Sequence, residues 1–84
     1  MPETYRKQTT PLTVPTEDGK LIEEHFGLPS TQQEDISVAR MVAPPGWSEP
    51  AQTPEFDEYI IMIRGRKQID VEGKSLVLRS GETF

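Results

Sequence analysis

Between positions 49 and 58 the chain carries Glu49, Gln52, Glu55, Asp57 and Glu58. Oxygen donors at that density suit a hard divalent cation such as Mg, Mn or Ca better than Zn. The same residues also describe an ordinary acidic, solvated loop. Glu58 is the member best placed for chemistry, at the head of the apolar stretch Tyr59 to Ile63. In a strand it shares a face with Ile60 and Met62. A carboxylate on an apolar face needs a partner or a metal, or its pKa rises. Glu58, Gln52 and Glu49 are therefore the ligand or metal candidates, with no catalytic residue assigned. Trp47, Ile60, Met62 and Arg40 are the candidates to line a pocket beside them.

Other chemistry is sparse. His25 is the only histidine and there is no cysteine, so the usual zinc sites and cysteine nucleophiles cannot be built. Histidine is the side chain suited to acid–base work at neutral pH, so His25 could act as a ligand or base, although a lone histidine is more often structural. Trp47 follows Pro44-Pro45-Gly46 and has Phe56 and Tyr59 nearby in sequence, which suits a pocket mouth, an interface or plain packing. Arg40 lies among apolar strand residues and could reach a carboxylate such as Glu58. Arg64, Arg66 and Lys67 are a solvated basic turn. No phosphate-binding glycine loop is present.

The elements that must position these groups are strands. Pro2, Pro11 and Pro15 oppose a helix at the start and leave an extended arm over residues 1–15, within which 10–14 can form a short edge strand. Glu17-Asp18-Gly19 is a turn signal. Residues 20–26 read as a strand, with a narrow helical stripe of Leu21, Ile22 and Phe26 as the alternative. Residues 28–34 read as polar loop, and the capping-box match at Thr31 and Glu34 is discounted because no apolar helical run follows. Strands are expected at 36–43, 58–63, 67–72 and 75–78, with turns at Gly65, Gly73 and Gly81. Short strands at this rhythm suit a sandwich or barrel, here spanning residues 16–84.

Composition narrows the function classes. The chain has 84 residues, enough for one small domain with a thin stability margin. Hydrophobic residues make up 33%, and most of the branched aliphatics fall after Asp35, so the first third should be loosely held. A net charge of −5 opposes nucleic acid or an anionic membrane as the main partner. No apolar run approaches 18 residues and no signal peptide is visible, which makes a cytoplasmic location the default expectation.

The stretch from Gly46 to Gly65 resembles the first conserved motif of the cupin family, G-x5-H-x-H-x3–4-E-x6-G. Gly46 and Gly65 stand at its glycines and Glu58 at its acidic position, while Gln52 and Pro54 occupy the two histidine positions. The resemblance covers residues 36–84 and implies an all-β, cupin-like jelly-roll β-barrel or sandwich. It implies that Glu58, Ile60 and Met62 face the barrel interior, with Gln52 able to hydrogen-bond a ligand there. The histidine-supplying second motif is absent, so the barrel is expected to be truncated and completed by a homodimer. Cupins also dimerise through N-terminal strands, which gives the arm a task. The implied function is small-molecule binding at a degenerate metal site, a divalent metal ion being the only cofactor in view. The alternatives are a divergent metal-dependent isomerase, lyase or dioxygenase, and a non-catalytic structural fragment.

Overall fold

A computed structural model of the chain describes residues 4–84. The looseness expected at the very start, and the role given to Pro2, lie outside the described residues. The chain divides into two compact units that meet in sequence between Pro50 and Ala51.

The first unit is a three-stranded antiparallel sheet. It comprises β1 (Leu12–Val14), β2 (Leu21–Phe26) and β3 (Val38–Val42), in the order β1-β2-β3. Asp18 and Gly19 make the turn into β2. The Asp18 carboxylate accepts the Lys20 N–H at 3.1 Å, and Gly19 takes a φ of 84°, which a side chain would resist. The register sets Val14 against Ile22, Ile22 against Met41 and Glu23 against Arg40. The strand alternative for residues 20–26 is thus the one adopted. A register irregularity between Glu24 and Phe26 leaves His25 without a paired neighbour, as a bulge does.

Residues 28–34 depart from the expected loop. Leu28–Thr31 forms a single helical turn, α1, closed by Gln32 in the left-handed region at φ 61°. One turn needs no amphipathic run, so hydrophobic periodicity is silent on it. Thr31 is the last residue of this turn and not its cap, which agrees with setting the capping box aside.

The second unit holds a hairpin of β4 (Arg66–Val71) and β5 (Lys74–Arg79). Its two-residue turn places Glu72 at φ 51° and Gly73 at φ 74°, the paired positive values of a type I′ turn. That turn matches the right-handed twist of its strands and fixes the register, Val71 on Lys74 and Ile69 on Leu76. Asp70 accepts hydrogen bonds from Ser75 Oγ at 2.6 Å and Gln68 Nε2 at 3.0 Å, which hold its carboxyl below the usual carboxylate range. The stretch at 58–63, expected as the strongest strand, is tied in more sparingly. It forms one bridge, Ile61 to Thr83, flanked by backbone hydrogen bonds between Ile60 and Phe84 and between Met62 and Glu82.

The fold is all-β apart from α1. A closed barrel is not shown: the described strands form one three-stranded sheet, one hairpin and one bridge. Among the described residues Leu78 is the one buried apolar side chain, at 4% exposure. Every residue of β3 is exposed, as are Tyr59, Ile61 and Ile63. Leu78→Ala should therefore cost about 2–5 kcal/mol of unfolding free energy in urea titration, the range for a truncated buried leucine. Val77→Ala, next to it on the exposed face, should cost less than about 1 kcal/mol.

Candidate functional site

The best-defined polar cluster of the first unit is built on two turns. The first is Glu17 to Lys20, already shaped by Gly19. The second is Pro44 to Trp47, where the Trp47 N–H donates to the Pro44 carbonyl at 3.1 Å. Trp47 Nε1–H donates to Asp18 Oδ2 at 2.6 Å, and Lys20 Nζ lies 4.1 Å from the centre of the indole ring. The ring is thus gripped at its N–H edge by a carboxylate and covered on a face by a cation. At an exposed site the cation–π contact contributes about 0.5–1 kcal/mol. The indole hydrogen bond, with the Lys20 backbone N–H second, holds the Asp18 carboxyl below the usual carboxylate range.

A second cluster lies behind β2. Glu24 is nearly buried at 9% exposure. Its Oε2 accepts the Ser30 N–H at 2.9 Å, so this carboxylate satisfies a donor of the short α1 turn. The carboxyl group rests against Gly27: a Cβ there would fall 2.8 Å from Glu24 Cδ, and Gly27 has a φ of 154°. Nearby, Gln8 Nε2 donates to the His25 carbonyl at 3.0 Å and ties the arm to β2. This arrangement is structural, because each contact satisfies a backbone group.

The residues singled out from sequence fall in both units. Glu49 lies in the first unit, and Gln52 and Glu58 in the second; all three are exposed. Ile60 and Met62 are half-buried on the face shared with Glu58, so the alternation of that stretch is as expected. Arg40 has its partner within the first unit. Its guanidinium donates to Glu23 Oε1 at 2.8 Å across the β2–β3 ladder. Exposed pairs of this kind contribute at most about 1 kcal/mol. Trp47 is half-buried and engaged by Asp18 and Lys20. Among the described residues no three His, Cys, Asp or Glu side chains come together in a way that could hold a metal ion. No described helix is long and apolar enough to cross a membrane. Sequence reasoning saw Asp18 only as a turn residue and passed over Lys20 and Glu24. Nothing in the spacing joins Asp18 to a tryptophan 29 positions away.

Comparison with known proteins gives one informative relative. The chain is 54% identical over 69 residues to a Myxococcus xanthus (strain DK1622) protein named endoribonuclease YbeY. The match takes in 82% of this chain and 24% of the relative, so the chain spans about a quarter of that protein's length. No family model matches, and no solved structure matches.

This finding overturns the cupin resemblance and the small-molecule-binding function drawn from it. The divergent cupin enzyme falls with it, and the non-catalytic structural fragment gains no support from a relative named for RNA cleavage. The physical reason lies in what the motif match consisted of. Gly46 and Gly65 have φ values of 80° and 83°, so both are turn glycines that many β-meanders require. The one chemical residue in the match, Glu58, is exposed. The matched positions were punctuation between strands, with neither histidine present.

Because the folded-state pKa of Asp18 is depressed, its contribution is present above the unfolded-state pKa and is lost as pH falls through the folded value. Carbon-detected NMR titration should place the Asp18 midpoint below the ordinary value of an unperturbed aspartate. In Trp47→Phe, which removes the indole donor, the midpoint should move upward. An unchanged midpoint would show that the indole does not hold the carboxylate.

Proposed function

We propose that this chain serves endoribonucleolytic RNA cleavage, as one β-rich portion of an enzyme of the kind its relative is named for. The observation that carries this reading is the 54% identity over 69 residues. Identity at that level over most of a short chain supports a common local structure and a common role for the segment. The exposure of Glu49, Gln52 and Glu58 favours a supporting part over a catalytic one. The groups that cleave RNA are then supplied by polypeptide beyond this quarter of the relative. The net charge of −5 points the same way for the phosphate-binding surface. Trp47 beside Lys20 offers the kind of aromatic and cationic pair that can add a local contact to an unstacked base. We place this activity in the cytoplasm. We also propose that the chain associates with a second copy of itself, as its exposed strand edges suggest.

The test uses the Myxococcus xanthus protein as host. Deleting its matched segment should lower cleavage of single-stranded RNA at least roughly tenfold, and inserting this chain in its place should restore cleavage to within about threefold. A deletion protein that keeps its circular dichroism spectrum and cleaves RNA at the parental rate would overturn the reading.

A further inference from the structure

The stretch from Glu58 to Arg64 has one occupied edge and one open edge. Ile60 and Met62 spend their backbone groups on Phe84, Glu82 and Gly81, at 2.7–2.9 Å. In an extended chain, alternate residues turn their N–H and C=O groups the other way. Those are Tyr59, Ile61 and Ile63: the Ile63 carbonyl accepts Ser80 Oγ–H at 2.8 Å, whereas the backbone groups of Tyr59 and Ile61 make no hydrogen bond among the described residues. Their side chains are 85% and 71% exposed, and that of Ile63 is 75% exposed. An open edge carrying a row of apolar side chains is a template for another strand.

The sequence of this edge says which strand fits. Read from Glu58 to Arg64 it runs Glu-Tyr-Ile-Ile-Met-Ile-Arg. It is apolar throughout its middle, with a carboxylate at one end and a guanidinium at the other. Folded back on itself antiparallel about Ile61, it sets Glu58 of one copy opposite Arg64 of the other. The twofold axis produces that ion pair twice. Tyr59 then faces Ile63, Ile60 faces Met62, and Ile61 faces its own equivalent, whose outward N–H and C=O groups can be exchanged. Sliding the register by two residues sets Glu58 against Met62 or Arg64 against Ile60. Sliding it by one turns every side chain to the opposite face. Glu58 and Arg64 are both exposed, and neither makes an ion pair among the described residues.

We propose that the chain forms a twofold dimer by antiparallel pairing of its Glu58–Arg64 edges, centred on Ile61. This rests on the proposed self-association and deepens it by naming the edge and the register. A twofold interface of this sort is self-complementary and closes after two copies. It leaves no Glu58–Arg64 edge open for a third.

The experiment is sedimentation equilibrium, with native mass spectrometry, on the full 84-residue chain and three charge variants. The wild type should be dimeric at tens of micromolar. Glu58→Arg and Arg64→Glu should each weaken the dimer roughly tenfold or more, because each sets like charges opposite one another twice. The double variant Glu58→Arg with Arg64→Glu should restore the wild-type dimer. Far-ultraviolet circular dichroism confirms that each variant stays folded, as expected for exposed sites. A wild type that is monomeric throughout would end both the self-association and this interface. A dimer indifferent to either reversal would leave self-association standing and overturn the edge and register named here.

Discussion

Backbone hydrogen bonding, fixed in register by turns of positive φ, is what the rest of this structure depends on. Leu78 alone among the described apolar residues is buried, so little transfer free energy holds the strands together. The ladders must compensate. Gly19 opens β2, and Glu72 with Gly73 closes β4 on β5. Each fixes which residues oppose which, and an error of one residue at either would invert the faces of the strand that follows. Side chains then reinforce the turns locally. Asp18 caps its own turn through Lys20 and is held by Trp47, while Asp70 is bridged by Ser75 and Gln68.

The polar contacts share one logic. Glu24, the least exposed carboxylate, is spent on a backbone N–H of α1, and the glycine beneath it makes room. Arg40 is spent on Glu23. Groups that looked free for chemistry in the sequence are engaged in holding short elements together, whereas Glu49, Gln52 and Glu58 stand exposed in two separate units. A short chain with few apolar residues meets its stability needs with polar side chains, and this reduces what remains for a reaction centre.

The strands were legible because their signals are local. Alternation marked 67–72, and glycine punctuation marked the turn at Gly73, whose two positive φ values follow from a two-residue hairpin. The single turn at Leu28–Thr31 was illegible because four residues carry no period. The site was harder still. The Asp18–Trp47 hydrogen bond spans 29 positions and has no spacing rule behind it. The cupin resemblance failed for a related reason. Glycines at positive φ recur wherever strands turn, so Gly46 and Gly65 matched a pattern whose chemistry Gln52 and Pro54 do not supply.

The two pairings of the second unit differ in how far the chain must travel to make them. Val71 and Lys74 meet across two residues, so the β4–β5 hairpin closes a minimal loop, an event of roughly 1–10 μs in isolated hairpins. Ile60 and Phe84 meet only after the whole hairpin between them has been drawn in. Loop-closure entropy orders these events. The hairpin forms first and shortens the effective distance between residues 60–62 and 82–84, and the late bridge then zips onto it. Unfolding runs in reverse, with the Ile61–Thr83 bridge opening before the hairpin. The apolar stretch at 59–63 is therefore the last segment to be held and the first to be released.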